Sequence, residues 1–225
     1  MYAKIEPLIG FYEEYEKLYD EYEKIIKSIK FKNLLDVGCG NGSFLTRFKD
    51  NAKGIDISPK MVEIAKQKGL KVECKNLEQI EEKFDLITAI GDVLNYLNKT
   101  ELISFLQNIK RSLNENGHFI CDINTLYGFE EITQGVLIKD THDKFLAIEA
   151  EFLNNTLNTN FTLFQKQNKN CYLKENWSIK QYFYTPKQIE KILQLKLTKI
   201  KKINLFSDNL PDKIILIFKK PLTSD

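Results

Sequence analysis

The stretch from Leu34 to Leu45 constrains the fold more than any other part of the chain. It consists of the apolar run Leu-Leu-Asp-Val, the turn Gly-Cys-Gly-Asn-Gly and the start of an amphipathic pattern. This order is typical of a buried parallel strand that turns sharply into a helix. Such a turn leaves backbone N–H groups facing a ligand, and the glycines at 38, 40 and 42 remove Cβ atoms that would keep the ligand away. The stretch therefore predicts a site for a nucleotide-like ligand.

Length and charge narrow the class of protein. The 225 residues are enough for one domain with a full core, and the 33 basic and 31 acidic residues are well mixed, so the charge pattern does not favour nucleic acid as a partner. We expect a cytoplasmic protein with no membrane association, because no apolar run approaches the ~20 residues of a membrane helix and no signal pattern opens the chain. The four cysteines form no CxxC pair, so neither a disulfide nor a metal site is expected.

Residues 1–30 are predicted to form an N-terminal helix that is rich in tyrosine. Apolar and aromatic side chains recur there at steps of three and four, from Phe11 to Ile29. Two interpretations stay open. The helix packs on the domain, as aromatic stripes usually do, or it is a lid whose Tyr12, Tyr15 and Tyr19 reach the active site.

Residues 31–134 alternate between predicted strands and helices. Strands are expected at 34–37, 52–55, 71–74, 84–90 and 118–123, with helices through about Asp50, from Ser58 to Gly69 and from Asn98 to Gly117. This alternation predicts a doubly wound, Rossmann-like α/β fold with a mostly parallel sheet. Ligands bind such sheets at the carboxyl ends of the strands, where Asp56 and the cluster from Gly91 to Tyr96 are expected.

The pattern changes after residue 134. Four β-rich segments follow one another between 135 and 184 without a helix, which predicts an antiparallel insertion over the active site. A capped helix at Thr185 and two closing strands, 197–206 and 213–218, complete residues 185–225. Their short link makes the last strand antiparallel in a seven-stranded sheet.

Two ligand classes use a turn like that at 38–42. A dinucleotide needs space for a pyrophosphate, but Ser43 stands at the third dinucleotide glycine and the carboxylate of Asp36 would repel phosphate. The same carboxylate would orient a cationic methionine tail. Asp56 lies about 20 residues beyond the first strand, where nucleotide-binding units place a carboxylate for the ribose hydroxyls. S-adenosylmethionine is therefore favoured over NAD.

The segment from Leu35 to Gly42 resembles motif I of class I S-adenosylmethionine-dependent methyltransferases, and Phe84 to Ala89 resembles their fourth strand. The segments 91–96 and 119–124 are similar to a bacterial small-molecule branch that includes sugar amine methyltransferases. The resemblance implies S-adenosylmethionine as cofactor and the following cofactor-binding residues: Asp36, Gly38, Cys39, Gly40, Gly42, Asp56, Ile57, Asn76, Leu77, Ile90 and Asp92.

The chain departs from this family in two places. Asn76 stands where the family usually has an aspartate for the adenine amine, although its carbonyl can accept the same hydrogen bond. The segment 178–184 keeps Tyr184 and lacks the His and Arg that the branch often carries there.

Candidate catalytic residues are Asp92, Tyr12, Tyr19 and His142, with Asp92 either contacting the ligands or capping the next helix. His142 is either a general base or an exposed turn residue, and His118 is expected to be structural. Glu149, Glu151 and Trp177 either line the substrate cavity or lie on the outer face of the insertion.

The sequence thus predicts methyl transfer to an N or O atom of a small amine, sugar or carboxylate, by a monomer or homodimer. The alternatives are an NAD-linked oxidoreductase and a protein that binds S-adenosylmethionine without turnover.

Overall fold

The computed structural model describes residues 2–168 and 171–222. Its helices are α1 (Tyr2–Ile9), α2 (Tyr12–Ile26), α3 (Pro59–Gln67), α4 (Lys99–Ser112) and α5 (Pro186–Leu193). Its strands are β1 (Leu34–Val37), β2 (Ala52–Asp56), β3 (Val72–Cys74), β4 (Phe84–Ala89), β5 (Leu113–Asn124), β6 (Gly135–Asp140), β7 (Lys144–Leu153), β8 (Thr156–Asn168), β9 (Cys171–Tyr182), β10 (Lys196–Ile203) and β11 (Lys213–Lys219).

The core is a seven-stranded sheet with the order β10-β11-β5-β4-β1-β2-β3. Strands β1 to β5 pair in parallel, and β11 lies antiparallel between β5 and β10. Apolar side chains cover both faces of the sheet, with α4 and α5 on one face and α2 and α3 on the other. This confirms the predicted Rossmann-like fold, including the antiparallel last strand.

The segment after residue 134 forms a second, four-stranded antiparallel sheet with the order β6-β7-β8-β9. Helix α1 packs on one face of it, where Ile5 is fully buried against Leu146, Phe161 and Leu163. The Nζ of Lys4 lies 2.6 Å from a carboxylate oxygen of Glu175 on β9. The insertion is joined to the core by Asn95, whose side-chain amide donates a 2.8 Å hydrogen bond to the carbonyl of Tyr182.

Three predicted helix boundaries differ from the structure. The N-terminal segment forms two helices, because Gly10 adopts a φ of 72° and ends the first of them. A five-residue 3-10 helix, Phe44–Phe48, replaces the helix predicted to reach Asp50. Helix α4 ends at Ser112 and β5 already begins at Leu113, ahead of the predicted end at Gly117.

A π-helical turn at Gly128–Thr133, which no sequence pattern indicated, connects β5 to the insertion. Over the described residues, the helices are too short or too polar for any of them to cross a bilayer.

Candidate active site

The glycine turn follows β1 at the carboxyl edge of the core sheet. Gly38, Gly40 and Gly42 all have positive φ angles, and the N–H of Gly38 donates to the carbonyl of Ile55 at 2.8 Å. A Cβ at Gly42 would lie 2.4 Å from the side chain of Leu70, whereas a Cβ at Gly40 would meet no atom within 4 Å. Gly42 is therefore needed for packing, and Gly40 leaves the backbone open to a ligand.

The carboxylate of Asp56 fixes the shape of this turn. Its oxygens accept hydrogen bonds from the N–H groups of Gly40 and Ser58, both at 2.8 Å. A carboxylate oxygen has a second lone pair, so both oxygens can still accept a hydroxyl. The next side chain, Ile57, is 78 % exposed and presents an apolar surface that a flat ring can cover. Both residues fit a ribose and its base.

Asp36 lies beneath the turn, not on its surface, and only 2 % of it is exposed. The hydroxyl of Thr88 donates a 2.7 Å hydrogen bond to its carboxylate. Burial raises the pKa of Asp36 to about 7, and the nearby carboxylates of Asp56 and Asp122 add to this, while the bond from Thr88 opposes it. The charge of Asp36 thus changes near neutral pH.

Ionic groups meet at the ends of β4, β5 and β11. Asp92 has a left-handed backbone with a φ of 65°, and its side chain contacts the Nζ of Lys213. The same Nζ donates to Asp122 at 3.0 Å and to the side-chain oxygen of Asn124 at 3.1 Å. The hydroxyl of Tyr22 donates to Asp122 at 2.7 Å. We call Asp92, Asp122 and Lys213 the ionic cluster.

Burial determines the charges within the ionic cluster. Burial opposes the charge of Lys213, but Asp92 and Asp122 outweigh it and raise the pKa of the lysine above its usual range. Burial also opposes the ionisation of Asp122, yet Lys213 and the hydrogen bonds from Tyr22 and the Gly91 N–H lower its pKa. For Asp92 burial prevails and raises the pKa. Of the two carboxyls, Asp92 is therefore the one better suited to exchange a proton.

Beside the ionic cluster lies a cavity of about 400 Å³ between the core and the insertion. Helix α1 and the inner face of the insertion sheet supply most of its walls, and the core supplies its polar end. Its lining includes Ile5, Ile9, Tyr15, Asp92, Tyr96, Asn124, Leu137, Ile148, Ala150, Leu157, Thr159, Phe161, Ile179 and Gln181. Asp92 thus lies in the wall of the cavity and in the ionic cluster.

The structure separates the tyrosines of the N-terminal segment. Tyr15 lines the cavity, whereas Tyr12 is 54 % exposed and is absent from the described lining. Tyr19 packs its ring 5.6 Å from that of Phe44 and lies under the guanidinium of Arg47. Of the three tyrosines named for a possible lid, Tyr15 therefore lines the cavity, and Tyr12 and Tyr19 are not among the described lining residues.

His142 is exposed in the turn that joins β6 to β7. Leu137 is the cavity-lining residue of β6 nearest to this turn, and three further residues of the strand, roughly 10 Å at the rise of a β-strand, lie between it and the start of the turn. A general base must come within hydrogen-bonding reach of its substrate, directly or through one water. The structure does not place His142 there.

The remaining predicted residues have structural partners. The side-chain oxygen of Asn76 accepts from the N–H of Leu77 at 2.8 Å and caps a 3-10 turn, and the side chain of Leu77 is buried in the core. Cys39 is buried in the apolar core between the sheet and helices α2 and α3, and Ile90 is partly buried against the same core. Their contacts to a cofactor stay predictions.

The charged residues of the insertion lie away from the cavity. Glu149 and Glu151 alternate with the cavity-lining Ile148 and Ala150, so they lie on the outer face. Trp177 belongs to the inner face and stacks on Phe161, with ring centroids 5.2 Å apart.

Sequence reasoning did not single out Lys213 or Tyr22 as site residues. Tyr22 lies within the amphipathic stripe from Phe11 to Ile29, and nothing in that pattern distinguishes it as a site residue. Lys213 begins an apolar strand, and its one signal was the position opposite Asn124 that an antiparallel last strand gives it.

Comparisons with known proteins agree with this geometry. Residues 34–117 match the family model described as methyltransferase domain. An uncharacterized protein of Methanocaldococcus jannaschii is 32% identical over an alignment of 149 residues, and the match covers 57% of this chain and 57% of that protein. The chain spans 51% to 58% of the lengths of the curated relatives it matches.

Two solved structures resemble the whole chain. An S-adenosylmethionine-dependent methyltransferase of Clostridium acetobutylicum has a TM-score of 0.77 at 22% identity, covering 98% of this chain and 96% of that one. The amino pentose methyltransferase CalS10 of Micromonospora echinaspora, solved with S-adenosylmethionine, has a TM-score of 0.69 at 14% identity, covering 97% and 96%. Residues 34–117 are therefore similar to a methyltransferase domain, and the chain has the fold of the S-adenosylmethionine-dependent methyltransferases, as the resemblance of its glycine turn implied.

Proposed function

We propose that the protein transfers the methyl group of S-adenosylmethionine to a nitrogen or oxygen atom of a small molecule. The observation that carries this proposal is the position of Asp92, which belongs to the carboxyl edge of the core sheet and also lines the cavity under the insertion. A ligand seated on the glycine turn and a second ligand in the cavity would meet at this residue. Such a meeting point is what a transfer reaction needs.

The turn supplies the groups that would hold the cofactor. Gly40 leaves its backbone open, the oxygens of Asp56 can accept the ribose hydroxyls, and Ile57 offers an apolar surface to the base. Asp36 lies below the turn, where its negative charge would favour the positively charged methionine tail. When bound, S-adenosylmethionine supplies an activated methyl group next to a sulfonium charge.

The residues around the cavity would orient the acceptor and exclude water. Helix α1 closes the cavity against the insertion sheet, because Ile5 is buried there and Lys4 pairs with Glu175. A nucleophile needs a free lone pair, and Asp92 is suited to take up its proton because burial raises the pKa of this carboxyl. Lys213 holds the carboxylate of Asp92 in place from the side of the core.

The geometry of the glycine turn does not favour a dinucleotide as the cofactor. A pyrophosphate is bound by the N-terminus of a helix, but the turn leads into a 3-10 helix of only five residues. The N–H of Ser43 at its start already donates to the side chain of Asn41 at 2.9 Å. The turn therefore offers a pyrophosphate few free donors.

Calorimetry with S-adenosylhomocysteine and with NAD tests the choice of cofactor. We expect the protein to bind S-adenosylhomocysteine, and Asp56→Ala to weaken this binding. Binding of NAD without binding of S-adenosylhomocysteine would refute the proposal in favour of an oxidoreductase.

Turnover is tested separately by the release of S-adenosylhomocysteine from S-adenosylmethionine in the presence of amines, sugars and carboxylates. Release with at least one acceptor, and none with Asp92→Asn, is the expected result. Tight cofactor binding with no release across the panel would favour a protein that holds S-adenosylmethionine without turnover.

A further inference from the structure

The polarity of the cavity changes along the inner face of the insertion sheet. Strand pairing places Leu137, Ile148, Phe161 and Trp177 side by side across β6, β7, β8 and β9. These four apolar side chains form one row, which we call the distal row. Ile5 of α1 packs on it through Phe161. The end of the cavity at the distal row is therefore apolar on both sides.

The opposite end of the same face lies next to the core. Gln181 precedes Tyr182, whose carbonyl is bonded to Asn95, and Leu157 lies opposite Gln181. Phe161 lies four positions after Leu157 along β8, so the polar end and the distal row are about 13 Å apart at the rise of an antiparallel strand. Between them the face carries Thr159 and Ile179. The cavity thus has a polar head and an apolar body.

The described residues that line the cavity carry charge of one sign only. Among the described residues that line the cavity, Asp92 is the one carboxylate, and none is lysine, arginine or histidine. A carboxylate or phosphate group placed there would lose its water without gaining a cationic partner. Most hydroxyls of a sugar would find no hydrogen-bonding partner at the distal row, whose one polar side-chain group is the buried indole N–H of Trp177.

We propose that the methyl acceptor is an amphipathic amine, with its nitrogen at Asp92 and an alkyl or aryl body between Ile5 and the distal row; this inference rests on the proposed methyl transfer. The ammonium form pairs with the carboxylate of Asp92 and must give up a proton before it reacts. The nitrogen lone pair then forms the N–C bond while the S–C bond breaks and leaves its electron pair on sulfur. Asp92 takes up the proton that the ammonium loses before the transfer, and the surplus proton on the methylated nitrogen passes to solvent.

Trp177 provides a direct test, because it is the single tryptophan of the chain and stacks on Phe161 in the distal row. Its fluorescence is followed in the presence of S-adenosylhomocysteine while 2-phenylethylamine, D-glucosamine or 3-phenylpropionate is added. We expect 2-phenylethylamine to bind at least about ten-fold more tightly than the other two compounds. Equal or tighter binding of D-glucosamine or 3-phenylpropionate would overturn the inference.

A matched pair of variants locates the binding site. Ile148→Thr keeps a β-branched side chain but places a hydroxyl in the distal row, and should weaken binding of 2-phenylethylamine about ten-fold. Ile138→Thr makes the same change on the neighbouring strand β6, where the side chain is exposed outside the described lining, and should leave binding unchanged. Equal effects of the two variants would place the amine elsewhere and refute the inference.

Methylated products, identified by mass spectrometry in the same samples, separate this inference from the proposed function. Methylation of D-glucosamine without binding of 2-phenylethylamine would overturn the acceptor class and leave the methyl transfer intact. Binding of 2-phenylethylamine without methylation of any compound would support the amphipathic cavity and count against the proposed function.

Discussion

Asp36 should make the stability of the protein depend on pH with a sign opposite to that of a salt-bridged aspartate. Burial raises its pKa from 3.8 to about 7, so between these pH values the folded chain keeps a proton that the unfolded chain has released. The free energy of unfolding therefore falls as pH rises through this interval. The total loss above pH 7 is about 4 kcal/mol, of which roughly 2 to 3 kcal/mol is lost between pH 5 and pH 8.

The variant Asp36→Asn isolates this effect. Asparagine has nearly the same shape, carries no charge, and its side-chain oxygen can still accept the hydroxyl of Thr88. We expect the unfolding free energy of the variant, relative to the natural protein, to rise by roughly 2 to 3 kcal/mol from pH 5 to pH 8. Urea unfolding followed by circular dichroism at a series of pH values measures it, and titrations shared by both proteins cancel in the difference.

A second variant tests whether the pKa of Asp36 causes this pH dependence of stability. Thr88→Val removes the hydrogen bond that favours the ionised carboxylate, so it should raise the pKa of Asp36 further and move the pH-dependent loss upward. A difference between Asp36→Asn and the natural protein that stays constant from pH 5 to pH 8 would refute the reasoning. Loss of affinity for S-adenosylhomocysteine in a more stable Asp36→Asn would show that the buried carboxylate is retained for binding.

Three further predictions concern the cluster and the turn. Lys213→Met leaves the buried Asp122 and the partly buried Asp92 without a cation and should lower the unfolding free energy at pH 7 by about 3 to 5 kcal/mol, and a loss below about 1 kcal/mol in urea unfolding would contradict this. Asp56→Ala should weaken binding of S-adenosylhomocysteine by about 1 to 3 kcal/mol in calorimetry, and an unchanged dissociation constant would remove Asp56 from the site. Gly42→Ala combines a left-handed backbone with a clash and should cost about 1 to 3 kcal/mol more stability than Gly40→Ala, whose main effect should be on cofactor binding; equal losses of stability would contradict the separate roles of the two glycines.

The strands and the turn could be predicted because their signals are local. Apolar runs bounded by glycine or polar residues predict β1, β2, β4 and the four strands of the insertion. The position of Asp56 at the end of β2 follows from its spacing to the first strand. The prediction of an α-helix after the glycine turn was wrong, and the reason is physical. The side chain of Asn41 accepts from the N–H and hydroxyl of Ser43, and Thr46 donates to the carbonyl of Ser43, so side chains compete for the groups that an α-helix would use.

The catalytic candidates were harder to predict because they depend on how two sheets meet. The tyrosines of α2 recur at helical spacing, but this spacing does not show what each of them contacts. Packing decides that Tyr15 reaches the cavity while Tyr19 packs on Phe44. His142 has the right chemistry, but the direction of β6 carries it away from the cavity. Residue type alone therefore does not decide which of these side chains line the cavity.

Lys213 shows how topology can place a charge that no local motif announces. The parallel strands β1 to β5 bring their last residues to the ligand-binding edge, whereas an antiparallel strand brings its first residue there. Because β11 pairs with β5 in this way, Lys213 lies opposite Asn124 and reaches Asp92 and Asp122, which are 121 and 91 positions away in the chain. A parallel last strand would have put Lys213 at the opposite edge and left the buried Asp122 and the partly buried Asp92 without a cation. The reversed last strand thus supplies the cation that allows the acidic edge to be buried.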